Sequence, residues 1–383
     1  MIALVSYVAC LGMLIYVYAL YPYLVRMLAA LYGVPVRCGN RLPTVTVVVT
    51  AYNEATSIRA KLDNLTALSY PTELLDVLVV SDASTDATEQ IAADYNPERV
   101  RVLRVEGRQG KTACQNAAAA AAVGEIIVFT DATTNLAVDS VRSLVARFAD
   151  PSVGCVAGCL EYVSVIENPT GRGGESYWSY EVRLRAAESL FGSLIGVSGC
   201  LYAVRKSAYR AIEPTLISDF VVAMKMREQN LRTVLASDAI CFEATLHRGD
   251  LELAMRVRVA IRSLNALISE RRFLNPFVYR GFAWQLWSHK ALRYLTPELC
   301  MGALAANVVL VMQQPHSGWY DFTLLLQCAV LVAGIVGFVL QHRHARLSVF
   351  EKPYYFLLTN LAALIATLRY LQGERMVTWK PIR

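Results

Sequence analysis

Ile126-Ile127-Val128-Phe129-Thr130-Asp131 decides the fold, because an unbroken apolar run ends on a carboxylate. A strand that is apolar at successive positions is buried on both faces, as in a parallel sheet covered by helices. A carboxylate at the C-terminal tip of such a strand stands where open α/β sheets bind ligands. Outward from it, Thr44–Val49 and Val77–Val80 are further apolar runs, and Val100–Val105 is a more exposed one. Helix-like stretches alternate with them: Glu54–Leu68 (with Glu54 in its first turn), Lys111–Val123 and Val138–Phe148. The alternation predicts an α/β domain over residues 42–248, with a doubly wound, mostly parallel sheet.

The runs lead into polar residues: Thr50-Ala51-Tyr52-Asn53-Glu54, Ser81-Asp82-Ala83-Ser84-Thr85-Asp86, Gly107-Arg108-Gln109-Gly110-Lys111 and Thr130-Asp131-Ala132-Thr133-Thr134. Polar tips gathered on one edge of a sheet make a ligand crevice. Asp86 alone is better read as a helix cap than as a ligand contact. Asp82, Arg108, Lys111 and Asp131 together resist a purely structural reading. Neither G-x-G-x-x-G nor a Walker A sequence occurs, which disfavours dinucleotide and P-loop binding. Farther on, Ile217-Ser218-Asp219-Phe220 offers a second carboxylate. It could serve as a base, or simply cap the helix Phe220–Gln229.

The 383 residues are 55% hydrophobic and 18% charged, with a mean hydropathy of +0.37. That balance implies a polar domain joined to a few membrane helices. The net charge of +6 suits anionic lipid head groups and a phosphate-bearing substrate rather than nucleic acid. The nine cysteines are scattered without a C-x-x-C pair, so structural zinc is disfavoured and a reduced compartment favoured.

Met1–Val25 carries no charged residue and is long enough to span a bilayer. Without a basic leading segment it reads as a retained helix over residues 1–27, not a cleaved signal. Arg26, Arg37 and Arg41 place the following domain in the cytosol, on the inner face of the cytoplasmic membrane. Tyr294–Met312, Phe322–Leu340 and Pro353–Leu368 are three more apolar segments, within residues 291–372. Gln313–Asp321 lacks Lys and Arg and is expected outside; the basic His342-Arg343-His344-Ala345-Arg346 is expected inside. The third segment is expected to cross, although the basic tail 373–383 then ends outside; a re-entrant or surface path is the alternative. Glu298 reads first as an interfacial residue and second as a pore or acceptor contact. In Leu251–Arg271, Leu253, Val257, Ile261, Leu264 and Ile268 form one apolar stripe. That stretch opens an amphipathic interfacial region over 249–290, or packs on the polar domain with equal weight. Trp284, Trp287, Tyr294 and Trp319 suit interfacial belts, and His247 a packing role.

The ordered set Ala51-Tyr52-Asn53-Glu54, Ser81-Asp82-Ala83-Ser84-Thr85-Asp86, Gly110-Lys111 and Phe129-Thr130-Asp131 resembles the family 2 glycosyltransferases with the GT-A fold. The membrane-bound chitin, hyaluronan, cellulose and exopolysaccharide synthases are the nearest in layout. The resemblance implies that Tyr52 and Glu54 line a nucleoside pocket and that Asp82 bonds the base, usually uracil. Arg108 and Lys111 would stand near the nucleotide. Asp131 would touch the diphosphate and its Mg²⁺ or Mn²⁺. Ser198 and Gly199, in Gly196-Val197-Ser198-Gly199-Cys200, would lie near the acceptor sugar. Asp219 would be the general base.

Two departures matter. The family's D-x-D reads Asp131-Ala132-Thr133, so Thr133 offers a hydroxyl where a second carboxylate is usual, and metal affinity should fall. The family's Q-x-x-R-W reads Met255-Arg256-Val257-Arg258-Val259, keeping Arg258 as a counter-charge but losing the tryptophan that stacks on the acceptor. That favours one or a few transfers to a lipid-linked or growing glycan over long processive synthesis. The implied partners are a nucleotide-sugar donor, that acceptor and membrane lipids. The rival readings are a polyprenyl-phosphate monosaccharide synthase and a non-catalytic nucleotide-sugar-binding subunit of an envelope complex.

Overall fold

The computed structural model describes residues 1–163, 169–244, 249–343 and 347–376. Two helices, α1 (Ile2–Ile15) and α2 (Tyr21–Tyr32), run on through a π turn at Tyr16–Leu20. Then come β1 (Val45–Ala51), α3 (Ile58–Thr66), β2 (Leu75–Ser81), α4 (Thr88–Tyr95), β3 (Val100–Arg104), α5 (Lys111–Ala121), β4 (Ile126–Asp131) and β5 (Asn135–Leu136). After them stand α6 (Ser140–Ala146), β6 (Val153–Val163), α7 (Pro169–Phe191), β7 (Leu201–Arg205), α8 (Ser218–Glu228) and β8 (Arg232–Ala244). The chain ends in α9 (Gly249–Ser269), α10 (Pro276–Leu286), α11 (Leu292–Tyr294), α12 (Thr296–Gln313), α13 (Gly318–His342) and α14 (Ser348–Leu371).

The strands form one sheet in the order β3-β2-β1-β4-β7-β6-β8-β5. β1, β2, β3 and β4 pair in parallel, as βαβ units require. β1 is buried at every position, with Val45, Val47 and Val49 in the core on one face and Val48 in the core on the other. This is why its sequence is continuous rather than alternating. β7 breaks the parallel pattern, pairing antiparallel with both β4 and β6. β6 is hard to recognise because Gly154 and Gly158 interrupt it, and glycine is depleted in strands. A Cβ there would meet Met226 Sδ at 2.6 Å or Leu201 Cδ2 at 2.7 Å.

Among the described residues, four helices are long and apolar enough to cross a membrane: Ile2–Tyr32, Thr296–Gln313, Gly318–Gln341 and Ser348–Leu371. α1 packs on α12 through Tyr7, Ala306 and Leu310. α2 packs on α7 through Tyr21, Val25, Ala29, Leu184 and Ala187. Most of the stretch Leu251–Arg271 falls on α9, which packs in two directions. Its Val257, Ala260 and Ile261 pack on Ala362 and Ala366 of α14, while Ala266 and Leu267 join the core beneath the sheet. The Trp284 Nε1–H donates to the Tyr16 hydroxyl at 2.8 Å, and its ring packs on Tyr21 and Phe191. His247 lies outside the described residues.

Candidate active site

Register places the tips level: Ala51 lies beside Ser81, and Thr50 beside Asp131. The loops leaving these strands therefore converge on one edge. After β1 the chain does not enter a helix at Glu54, as expected, but at Ile58. Asn53 takes a left-handed φ of 53°, and the Glu54 and Ala55 N–H groups donate to Thr88 Oγ1 (2.8 Å) and Asp86 Oδ2 (3.2 Å). The polar loop after β2 thus captures these N–H groups and delays the helix. Asp86 also accepts from the Thr88 N–H at 3.0 Å as part of the turn before α4, but the N-cap position of that helix is Ala87 and has no side-chain cap, so Asp86 is not the helix cap expected of it. Glu54 is buried between these loops.

Asp82 is fully buried. Both its oxygens accept from the Gly110 N–H at 3.1 Å, and the Arg108 Nε lies 4.0 Å away. Gly110 has φ 92°, which a side chain would strain. The Arg108 guanidinium stacks on Tyr52, 3.5 Å from the ring centroid.

Lys111 opens α5, so its side chain starts at the sheet edge. Its ammonium donates to Asp131 and, at 3.1 Å, to the Gly199 carbonyl. Burial pulls its pKa down, but the charge and hydrogen bond of Asp131 outweigh this and hold it above the usual lysine value. Ser198 and Gly199 belong to the loop before β7, where the Ser198 carbonyl accepts from the Leu201 N–H at 3.3 Å. A Cβ on Gly199 would lie 2.9 Å from Asp219 Oδ2 and 3.2 Å from Lys111 Nζ. Lys111, Asp131, Gly199 and Asp219 are therefore one cluster.

Asp219 sits in the first turn of α8, whose start carries no side-chain cap. The capping alternative is thus not what its carboxylate does. Burial pushes its carboxyl above the usual aspartate range, opposed by Lys111, Arg262 and Lys290. Arg258 lies on α9 one turn before Arg262, and burial depresses both guanidinium groups. Thr133 is exposed, two residues past Asp131.

Several charged residues at this edge are not singled out by the sequence motifs. Lys61 of α3 is 1% exposed and donates to Thr130 Oγ1 at 3.0 Å and to the Thr134 carbonyl, strapping the turn that carries Asp131. Burial lowers its pKa to about 7. A signal for it exists: Ile58, Lys61, Leu62 and Leu65 form the buried stripe of α3, so a lysine occupies a core position. Glu243 accepts from the Cys200 thiol at 3.4 Å. Burial, then the charge of Asp131, pushes its carboxyl up. It ends the run Ala239-Ile240-Cys241-Phe242-Glu243, the same pattern of apolar residues closing on a carboxylate that marks Asp131. Arg262 does carry a signal, since with Arg256 and Arg258 it lies off the apolar stripe of Leu251–Arg271, where an arginine faces head groups or the active site; Lys290 carries none. No group of three or more His, Cys, Asp or Glu is spaced to hold a metal among the described residues.

An open α/β sheet with acidic and basic groups gathered at one edge makes a ligand crevice, and comparison with known proteins names the family. The profile of Glycosyl transferase family 2 matches residues 46–213. An N-acetylglucosaminyltransferase of Bradyrhizobium elkanii is 31% identical over 157 residues, which is 37% of this chain and 86% of that protein. The chain belongs to glycosyl transferase family 2. A β-monoglucosyldiacylglycerol synthase of Nostoc sp. is 29% identical over 171 residues, covering 44% of this chain but only 36% of the relative. The chain thus spans well under half the length of that relative. A solved mannosyltransferase from Pyrobaculum calidifontis, in complex with GDP-Man and Mn²⁺, superposes with a TM-score of 0.72 at 24% identity. The match covers 97% of this chain and 99% of that one, so the GT-A fold and its helical additions are shared.

Proposed function

We propose that this chain is an inverting glycosyltransferase. It moves a sugar from a nucleoside-diphosphate sugar, with UDP-sugars the first candidates, to a lipid-linked or growing glycan acceptor at the cytoplasmic face of a membrane. The observation that carries the reading is the contiguous Asp131–Lys111–Gly199–Asp219 cluster at a level sheet edge. The relatives named above act in glycan and glycolipid synthesis, and the four apolar helices support a membrane setting.

In this reading Asp82 faces the base, and the stacked Tyr52–Arg108 pair walls the nucleoside pocket beside Glu54. Lys111 and Arg258 offset charge on the diphosphate as the bond to the anomeric carbon breaks. Asp219 takes the proton from the acceptor hydroxyl while its oxygen attacks the opposite face of that carbon. The bonding pair leaves with the nucleoside diphosphate. One displacement inverts the configuration, through an oxocarbenium-like transition state. A carboxyl raised by burial suits a base that must hold a proton briefly. Ser198 and Gly199 border the acceptor.

The donor set fits a divalent ion loosely. Asp131 supplies one hard oxygen ligand and Thr133 an exposed hydroxyl, so Mg²⁺ or Mn²⁺ would take its remaining oxygens from the donor diphosphate. When bound, the ion would neutralise charge on the leaving group. Release of UDP or GDP from candidate sugar nucleotides by the purified full chain, with and without EDTA, tests the reading. No release from any nucleotide sugar, with nucleotide binding intact, would leave only the sensor alternative.

A further inference from the structure

Asp219 is surrounded by more positive charge than one carboxylate needs. Arg262 is 9% exposed, yet it holds only a long hydrogen bond among the described residues, from Nη2 to the Leu216 carbonyl at 3.4 Å. Its Nε–H is buried without an acceptor among them. A buried guanidinium left unpaired is costly unless something else supplies the acceptors. The Lys290 ammonium stands 5.3 Å from the centroid of Phe220, the neighbour of Asp219. Both groups act electrostatically on Asp219. Arg258 sits four residues before Arg262 on the same helix, where like charges repel. Lys111 is already engaged by Asp131 and Gly199. Around Asp219, then, stand cationic donors from α9 and the turn before α11.

We infer that Arg262 and Lys290 form an oxyanion subsite beside Asp219 that takes a phosphoryl group. This rests on the glycosyltransferase reading of Asp219 and extends it to the chemistry of the ligand next to the base. The phosphoryl group has two sources: the diphosphate that leaves with the nucleoside, or a phosphate on a lipid-linked acceptor. The second is within reach because α9 packs directly on α14, one of the apolar candidate spans, through Val257 and Ile261.

The test is calorimetric binding to the full chain in detergent micelles, for wild type, Arg262→Met and Lys290→Met, with Tm measured alongside. The probes are UDP, dodecyl phosphate and, as the neutral control, dodecanol. Either variant should weaken UDP or dodecyl phosphate at least tenfold while leaving dodecanol unchanged. Loss for dodecyl phosphate alone assigns the subsite to a lipid phosphate. Loss for UDP alone assigns it to the leaving diphosphate. Affinities within twofold of wild type for both anions, or an equal loss for dodecanol, overturn the subsite. If Arg262→Met does not fold, Lys290→Met at its partly exposed position decides by the same criteria. Wild-type release of nucleotide from its sugar donor tests the glycosyltransferase reading separately, so the two failures are distinguishable.

Discussion

Gly199 and Asp219 leave no room for a methyl group between them: a Cβ on Gly199 would lie 2.9 Å from Asp219 Oδ2. The same Cβ would lie 3.2 Å from Lys111 Nζ, so the loop before β7 sets the spacing between Asp219 and the lysine that grips Asp131. Gly199→Ala should push Asp219 or Lys111 aside. Displacements of about 1 Å near the reacting atoms cost on the order of 10²-fold in rate. The expected result is a kcat loss of that order with a nearly unchanged Tm; a wild-type kcat would show that the spacing is not used.

Arg108→Ala removes the guanidinium stacked 3.5 Å from the Tyr52 ring centroid and 4.0 Å from Asp82. The Arg108–Tyr52 contact is intramolecular and worth about 1 kcal/mol to the fold, and a nucleoside resting against the same guanidinium would lose a similar amount, roughly fivefold in affinity. Titration calorimetry with UDP should show that weakening, while thermal stability changes little. An unchanged Kd would move the nucleoside pocket elsewhere.

Lys61→Met makes a prediction with opposite signs for stability and function. Burial holds the Lys61 pKa at about 7, below the usual 10.5. Its charge therefore destabilises the fold in full below about pH 7, and the penalty fades as pH rises toward 10.5. The variant should melt higher than wild type at pH 6, with the advantage shrinking by pH 9. Donor KM should nevertheless rise, because the strap across Thr130 and Thr134 is lost. A lower Tm at pH 6 would contradict the cost assigned to this lysine.

His289 joins the polar domain to the N-terminal apolar helix. Its ring nitrogens meet Glu181 and Glu188 of α7, and Tyr21 of α2 donates to Glu188. Arg293 pairs with Glu181 at 2.8 Å, and Arg185 also acts on both carboxylates. Burial opposes the imidazolium, but Glu181 and Glu188 raise its pKa above the usual value despite Arg293. Its contribution is then complete below about pH 6.5 and is lost as pH climbs through the raised folded value. Breaking a buried charged pair costs about 3–5 kcal/mol. His289→Gln should lower Tm more at pH 6 than at pH 9, and hydrogen exchange should report a loosened α2–α7 contact. An equal Tm loss at both values would mean the charge is idle.

Much of the site is legible in the sequence because strands advertise their tips. Asp131, Asp82 and Lys111 can be placed from an apolar run followed by a polar turn; the parallel register levels the strand tips that lead to Asp82 and Asp131, and Lys111 meets Asp131 from the start of α5. The start of α3 is not legible, because Asn53 and Asp86 act across about 30 residues of chain and local propensity does not see that far. β6 is obscured by glycines that serve close packing. Arg262 is legible only as a residue off the apolar stripe, facing head groups or the active site, and Lys290 is not legible at all, because both come near Asp219 through the packing of α9, α10 and the turn beyond. Lys61 and Glu243 are readable in principle: one is a lysine on a buried stripe, the other a carboxylate closing a strand.

The central claim is that Asp219 is the base for sugar transfer from a nucleotide donor. The most direct measurement pairs nucleotide release from the sugar donor with calorimetric UDP binding, for wild type and Asp219→Asn. General-base catalysis contributes about 10²–10⁴-fold, so turnover should fall by that order while UDP affinity stays within twofold. Wild-type turnover in Asp219→Asn would contradict the account.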